Sequence, residues 1–400
     1  MIEVRTGHAL DLLQAMPAGS VQCCLTSPPY WGLRDYGDPG KEWPEVTFSP
    51  MPGLQSMTAP ASCEPLGLES DPCAYVGHIV ALFREVRRVL RDDGVLFLNL
   101  GDSYAGGGGF APDAPSNRAG SKQTTQRGAK PGGIKPGGGL KPKDLVGIPW
   151  RAAFALQADG WYLRSDVIWA KPNPMPESVT DRPTKAHEYV FILSKQGRYF
   201  WDREGVTYNP AGRNPRTVWT IPTQPYPGAH FAVWPPELAA RCIKAGTSAK
   251  GACSECGAPW GRVVERSPMV IARSTRSAEM GVFGQTQASG TMLKPATSKT
   301  TGWRPSCNCT ADPVPCTVLD PFGGSGTTGL VAREHGRSAI LLEQSSTYAD
   351  MARRRLGQPP EDLDAAQAAV RALPLFRDGT RTTAGPRPDH GRTTTNKPPT

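Results

Sequence analysis

Hydrophobic positions along this chain keep two periods in turn. Short apolar runs of strand length stand at 2–5, 21–25, 95–100, 161–169, 188–193, 317–320 and 338–342. Between them apolar residues recur at helical spacing. Ala9, Leu10, Leu12, Leu13 and Met16 form one short helix, closed by Pro17 and Gly19. Ile79, Leu82, Phe83, Val86 and Leu90 share a face of a second, over 75–90, which Asp93-Gly94 breaks. Further helices are expected over 148–158, 237–244, 330–334 and 348–356. Val95–Leu100 is continuously apolar, as a parallel strand buried on both faces must be, and with the helix before it completes a βαβ unit begun at Thr26. The later runs, with a turn at Gly197 into Tyr199-Phe200-Trp201, predict a hairpin at the sheet edge. The fold class is α/β.

Four stretches carry no period. Residues 37–72 are rich in Pro, Gly, Ser and Met and read as a long loop. Residues 105–143 hold eleven Gly and seven Lys or Arg against one acid, a composition that cannot bury enough surface to fold alone. It suits DNA phosphates or plain solvation. Residues 203–230 are loop-like, with Arg203, Arg213 and Arg216 among prolines and aromatics. The tail from 357 is rich in Pro, Thr and Arg, with one helical patch at 363–373, and is expected to be mostly disordered. Together 44 Gly and 41 Pro are about a fifth of the chain, so a core with long irregular loops is expected. A net charge of +9 suits a polyanionic partner. No run approaches a membrane span and the N-terminus has no signal-peptide pattern, so the expected location is cytoplasmic.

Two motifs carry chemistry. The strand at 21–25 runs into Thr26-Ser27-Pro28-Pro29-Tyr30, where two prolines end the ladder and stiffen the turn. That turn lies at the carboxyl end of a strand, where open α/β sheets bind ligands. Ser27 Oγ and the Pro28 carbonyl can take the two hydrogens of an exocyclic amino group and turn its lone pair towards an electrophile, while Tyr30 offers a face to a flipped base. A proline-rich loop without function is the bland alternative. Trp31-Gly32-Leu33-Arg34-Asp35-Tyr36, just beyond, serves either DNA contact or simple packing. At the other end, Thr317–Asp320 runs into Pro321-Phe322-Gly323-Gly324-Ser325-Gly326-Thr327-Thr328-Gly329, then a helix, then a strand closing on Glu343. Glycines before a helix N-terminus and an acid after the next strand make a nucleotide-binding βαβ unit. Gly324–Gly329 even fits G-x-G-x-x-G, so a nicotinamide enzyme is an alternative, but only one helix follows Glu343 where a second half would be needed.

The Ser-Pro-Pro-Tyr stretch resembles the catalytic motif of DNA amino-methyltransferases in its serine form, and Asp320-Pro-Phe-Gly-Gly-Ser-Gly-Thr-Thr resembles their S-adenosylmethionine motif. Catalytic motif first and cofactor motif last resembles the permuted order of that family's β group. The run Arg182–Glu188 resembles a later motif, in which His187 is read as structural or close to DNA, not as a base. His230-Phe231-Ala232-Val233-Trp234-Pro235-Pro236 resembles the motif lining the methionine end of the cofactor. The resemblance covers about 2–35, 74–101, 145–246 and 316–356. It implies a Rossmann-like methyltransferase fold and S-adenosylmethionine as cofactor. Ser27, Pro28, Pro29 and Tyr30 would be catalytic. Asp320, Phe322, Gly323, Gly324, Ser325, Gly326, Thr327, Glu343, His230 and Phe231 would hold the cofactor, with Phe322 packing on it and Glu343 taking ribose hydroxyls. It implies double-stranded DNA as the partner, and leaves a homodimer and a paired restriction enzyme as options. Serine at the first position usually accompanies N4-cytosine methylation, with N6-adenine the alternative. Methylation at carbon 5 would need a Cys nucleophile, and Pro72-Cys73 and Pro315-Cys316 are poorly placed for it.

The ten Cys, in a chain without an export signal, suggest reduced thiols. Cys253-Ser-Glu-Cys256-Gly is half a zinc knuckle, and Cys307-Asn-Cys309 supplies two more thiolates for a closed structural zinc site. The loop between them, 262–304, carries seven Lys or Arg against two Glu and faces either DNA or solvent. The organisation expected is therefore a catalytic half over 1–246, with target recognition near 198–230. A Cys-rich insertion over 247–315, a cofactor half over 316–356 and the tail would follow. A basic zinc-bearing DNA-binding protein without enzymatic activity would keep the Cys cluster but leave both motifs unexplained.

Overall fold

A computed structural model describes residues 1–33, 40–105, 139–206, 214–224, 233–267 and 297–360, with backbone alone at 270–273 and 290–294. The expectations for 105–143, the tail beyond 360, and His230 and Phe231 fall wholly or largely outside these residues. The chain begins with β1 (Ile2–Thr6), α1 (Ala9–Gln14) and β2 (Val21–Thr26). Then come β3 (Val46–Phe48), β4 (Met57–Ala59), α2 (Pro72–Val89) and β5 (Leu90–Leu100). The middle holds α3 (Ile148–Ala158), β6 (Tyr162–Ala170), β7 (His187–Ser194), β8 (Val218–Thr220) and α4 (Pro236–Gly246). An insertion of short strands follows: β9 (Ala252–Cys253), β10 (Gly261–Ser267), β11 (Val270–Arg273), β12 (Gly290–Lys294), β13 (Thr297–Arg304) and β14 (Pro313–Val314). The chain closes with β15 (Thr317–Asp320), α5 (Thr327–Glu334), β16 (Ser338–Glu343) and α6 (Ser346–Arg355).

Eight strands form one mixed sheet in the order β1-β16-β15-β2-β5-β7-β6-β8. The first five are parallel, and β7 enters antiparallel between β5 and β6. Pairing of β15 with β2 brings the two motif-bearing strands together at the centre of the sheet: Val318 lies opposite Cys23 and Leu319 opposite Cys24. Crossovers leave this pair in opposite directions, so their carboxyl ends form a switch-point crevice. One face of the sheet is covered by α1, α2 and α3, with Leu13, Tyr75, Ile79, Phe83 and Leu156 buried in it. The other is covered by α4 and α5, around Leu238, Ile243 and Val331. Among the described residues no helix is long and apolar enough to cross a membrane.

The structure departs from the sequence reading in several places. Asp93-Gly94 does not separate helix from strand: α2 ends at Val89 and β5 starts at Leu90, with an irregularity in its pairing to β2. The predicted edge hairpin is β6 with β7, but β8 adds a further short strand outside β6, and Tyr199-Phe200-Trp201 is not a strand. The stretch 37–72, read as a plain loop, contains the β3–β4 hairpin, which packs on α2 through buried Trp43, Val46, Phe48 and Ala59. Widely spaced single apolar residues anchor it, which is why no period shows. The catalytic and cofactor halves lie within one compact unit, Met1–Pro359, in which their strands share a sheet.

Candidate active site

Residue Thr26, the last of β2, sends its hydroxyl to Asp320 Oδ1 at 2.8 Å, the last residue of β15. Asp320 Oδ2 accepts from Thr328 Oγ1 at 2.6 Å in the first turn of α5, and Oδ1 accepts the Phe322 N–H at 3.1 Å. One carboxylate thus joins the Ser-Pro-Pro-Tyr turn, the glycine-rich loop and the helix behind it. It is 2% exposed and holds the loop from beneath. Burial pushes its carboxyl up to about 7, against the pull of the Thr328, Thr26 and Phe322 hydrogen bonds.

The turn lies on a bed built by the segment 40–70. Tyr75 of α2 donates its hydroxyl to the Pro29 carbonyl at 2.9 Å, and Gly32 N–H donates to the Gly67 carbonyl at 2.8 Å. Gly67 N–H donates in turn to Glu69 Oε2, and Glu69 Oε1 pairs with His78 Nδ1, both at 2.8 Å. The His78 ring stacks on Trp43 with centroids 4.5 Å apart. Burial raises the Glu69 carboxyl, offset by its bonds to His78 and to backbone N–H groups. Trp31, for which DNA contact and packing were equal readings, is buried and donates its indole N–H to the Glu69 carbonyl at 2.8 Å. It packs.

Ser27 and Tyr30 are half-buried and meet: Ser27 Oγ donates to the Tyr30 hydroxyl at 3.2 Å. The Tyr30 ring packs against Gly101, where a Cβ would stand 2.5 Å from the ring edge. Its hydroxyl reaches Asn99 Oδ1 at 2.9 Å, at the end of β5, and Glu188 Oε2 at 2.8 Å, near the start of β7. Lys171 grips the other oxygen of Glu188. Sequence reasoning passed over Asn99, Lys171 and Glu188. The only signal was that Glu188 closes the motif-like run from Arg182, beside a histidine that drew the attention. His187 itself only sets its ring edge against Tyr189, at 5.3 Å.

In the glycine-rich loop, Gly324 N–H donates to Glu343 Oε2 at 2.7 Å, and Ser345 N–H to Glu343 Oε1 at 2.9 Å. Glu343 therefore stands at the carboxyl end of β16 beside the loop, where a ribose-binding acid belongs in such a unit. Ser325 and Thr327 are buried and their hydroxyls receive Arg355 of α6, at 3.2 and 2.8 Å, a contact no spacing rule announced. Phe322 is partly buried against the core on the α1–α3 face. Gly323 bonds to the Leu342 carbonyl at 2.8 Å. Gly326 has φ +79°, and a Cβ there would come within 3.0 Å of Ala352 Cβ. The sequence reading gave Gly326 to the ligand; in the structure its missing side chain also makes room for α6.

A family model described as DNA methylase, of the N6/N4 type, matches residues 21–253 and 316–354. The type II methyltransferase M.SmaI of Serratia marcescens is 37% identical over 360 residues, 88% of this chain and 90% of that protein. M.Cfr9I of Citrobacter freundii is 38% identical over 354 residues, 88% and 86% of the two chains. The chain belongs to the N6/N4 DNA methylase family. Among solved structures, that of the PvuII DNA methyltransferase (cytosine-N4-specific) is similar in fold, with a TM-score of 0.51 at 16% identity over 92% of both chains.

The family model breaks off where this methylase places its cysteines. Cys253, Cys256, Cys307 and Cys309 come together, their sulfurs all within 4.8 Å of one another. A zinc–sulfur bond of about 2.3 Å spaces tetrahedral sulfurs by about 3.8 Å, so the donor set fits such an ion. The cluster lies at the amino ends of the central strands: Gln22 Nε2 donates to the Gly257 carbonyl at 3.3 Å, and Arg91 donates to the Cys256 carbonyl. Five residue steps along β2 separate that level from Ser27, roughly 15–20 Å along the strand. From the cluster rises the β10–β13 ribbon, with Arg262 paired to Asp202 at 2.7 Å and Arg266 to Glu204 at 3.2 Å. Neither Pro-Cys pair offers a ready nucleophile for methylation at carbon 5. Cys316 is buried, its thiol pushed up to about 11 by burial, and Cys73 sits in the first turn of α2 with its thiol likewise raised by burial.

Proposed function

We propose that this methylase transfers a methyl group from S-adenosylmethionine to the exocyclic amino group of a cytosine (N4) flipped out of double-stranded DNA. The observation that carries the reading is the bond between Thr26 and Asp320, which seats the Ser-Pro-Pro-Tyr turn directly beside the glycine-rich loop. When bound, the cofactor supplies an electrophilic methyl on a sulfonium. Glu343 and the loop backbone hold it by its ribose and its body, with Gly323, Gly324, Ser325, Gly326 and Thr327 shaping the seat and Asp320 holding the seat in place. Ser27 Oγ and the Pro28 carbonyl orient the amino group, and the Tyr30 ring supports the base.

Serine supports cytosine because a neutral hydroxyl avoids setting a carboxylate beside the electron-rich ring nitrogen of that base. One observation favours the second reading, adenine N6, equally: Ser27 gives its proton to Tyr30, so it approaches the base only as an acceptor, which either amino group satisfies. Mass spectrometry of nucleosides from DNA methylated by the pure enzyme separates the two. N4-methylcytosine is expected, and N6-methyladenine alone overturns the choice of base. Sequencing of the same DNA for modified bases maps the recognised site.

The cysteine cluster is read as a structural zinc site with four thiolate ligands, closing the base of the β10–β13 ribbon away from the reaction. Elemental analysis should find one zinc per chain. No zinc, with Cys253, Cys256, Cys307 and Cys309 freely titratable, removes this reading.

A further inference from the structure

Methylation of an amino nitrogen leaves a proton to be removed. The nitrogen–carbon bond forms as the carbon–sulfur bond breaks, the electron pair stays on sulfur, and the nitrogen bears a positive charge until one hydrogen departs. The Ser-Pro-Pro-Tyr turn contains no group that is basic at neutral pH, since Ser27 and Tyr30 are both hydroxyls. A base must be reached through them.

The hydrogen bonds run one way. Ser27 Oγ donates to Tyr30 at 3.2 Å, and the Tyr30 hydroxyl, with one proton to give, meets two acceptors, Glu188 Oε2 at 2.8 Å and Asn99 Oδ1 at 2.9 Å. Asn99 is held in that orientation by its Nδ2, which donates to the Tyr189 carbonyl at 3.0 Å, so it presents a neutral oxygen. Glu188 presents a carboxylate, the stronger acceptor. Lys171 occupies Glu188 Oε1, which fixes the carboxylate plane and aims Oε2 at Tyr30. The Glu188 side chain is 17% exposed, an outlet to water.

Resting on the reading of Ser27 as the group that meets the amino hydrogen, we propose that Ser27, Tyr30 and Glu188 form a proton relay that deprotonates the methylated base. As the amino proton passes to Ser27 Oγ, the Ser27 proton moves to the Tyr30 oxygen and the Tyr30 proton to Glu188 Oε2. Glu188 then releases it to solvent, and the two hydroxyls return to their starting state. The negative charge of Glu188 also acts along this chain on the positive charge growing at the nitrogen. Glu188 is joined to the turn across 158 residues of sequence, by way of the strand that enters the sheet antiparallel.

The test uses the full-length enzyme, S-adenosylmethionine and a duplex oligonucleotide carrying the mapped site, in single turnover. Tyr30→Phe keeps the ring and Glu188→Gln keeps the shape. Each should slow methyl transfer by about 10²-fold, in the range of lost general-base catalysis. DNA affinity, cofactor affinity and 2-aminopurine fluorescence at the target, which reports flipping without turnover, should stay near wild type. The double variant should be no slower than the slower single one, because the two act as a unit. Wild-type rates in both variants overturn the relay, as do losses that multiply or that follow binding and flipping. Ser27→Ala guards the underlying reading. Full activity in that variant refutes Ser27 as the amino contact, whereas an inactive Ser27→Ala beside fully active Tyr30→Phe and Glu188→Gln refutes the relay alone.

Discussion

Asp320 shows how a single buried acid serves the site at a cost to the fold. Its folded-state value of about 7 lies above the ordinary 3.8, so the native state holds the proton more tightly than the unfolded chain does. The contribution is therefore complete below about pH 4 and is lost as pH rises through 7. About three units at about 1.4 kcal/mol each bound the loss at roughly 4 kcal/mol. Urea unfolding at pH 5 and pH 8 should show wild type losing more stability than Asp320→Asn, which cannot ionise. Equal pH dependence in the two would remove Asp320 as the source. The bonds to Thr26, Thr328 and the Phe322 N–H explain why an acid remains there: a carboxylate accepts from all three, where an apolar residue would release the loop from the turn.

At the scale of elements, the first turn of α5 is tied to α6. Gly326 takes a left-handed backbone, and its missing Cβ makes room for Ala352. Gly326→Val should cost roughly 2–5 kcal/mol, combining backbone strain with overpacking. A thermal melt of the apo protein should register this before any cofactor is added. An unchanged melt with binding abolished would instead return Gly326 to the ligand. The β3–β4 hairpin belongs to the same scale. The segment around it braces the Ser-Pro-Pro-Tyr turn: Gly67 packs on Pro29 and Tyr30 and donates to Glu69, which pairs with His78 of α2, whose ring stacks on Trp43. A stretch that resembles a spare loop thus sets the position of Pro29 and Tyr30.

Across the whole molecule the sheet separates two kinds of work. Its carboxyl ends hold the turn, the glycine-rich loop and the Glu188 chain, while its amino ends hold the four cysteines. Removing the proposed zinc, by chelation or by Cys307→Ser, should expose the 261–304 ribbon to protease and lower the melting temperature. A two-stranded ribbon has little stability of its own. Cofactor affinity should change less than about threefold, because roughly 15–20 Å of strand lies between. A collapse of cofactor binding on chelation, with the sheet still folded, would contradict this separation.

The sequence by itself determined whatever depends on near neighbours. Two adjacent prolines end a strand wherever they occur, and glycines ahead of a helix shape a loop for close backbone approach, so both motifs, the α/β class and the four clustered thiols were legible. Strand and helix periods placed the elements of the main sheet to within a few residues, apart from the three-residue β8 and the start of β5. Contacts across long separations carry no such local mark. Glu188 meets Tyr30 only because β7 lies beside β5, and Asp320 meets Thr26, 294 residues away in sequence, only because β15 pairs with β2. The bed under the turn was hidden because single apolar anchors leave no period. Which glycine serves packing, which tryptophan is buried and which acid faces Tyr30 are decided by the surface each residue meets after folding. The tertiary structure alone supplies that surface.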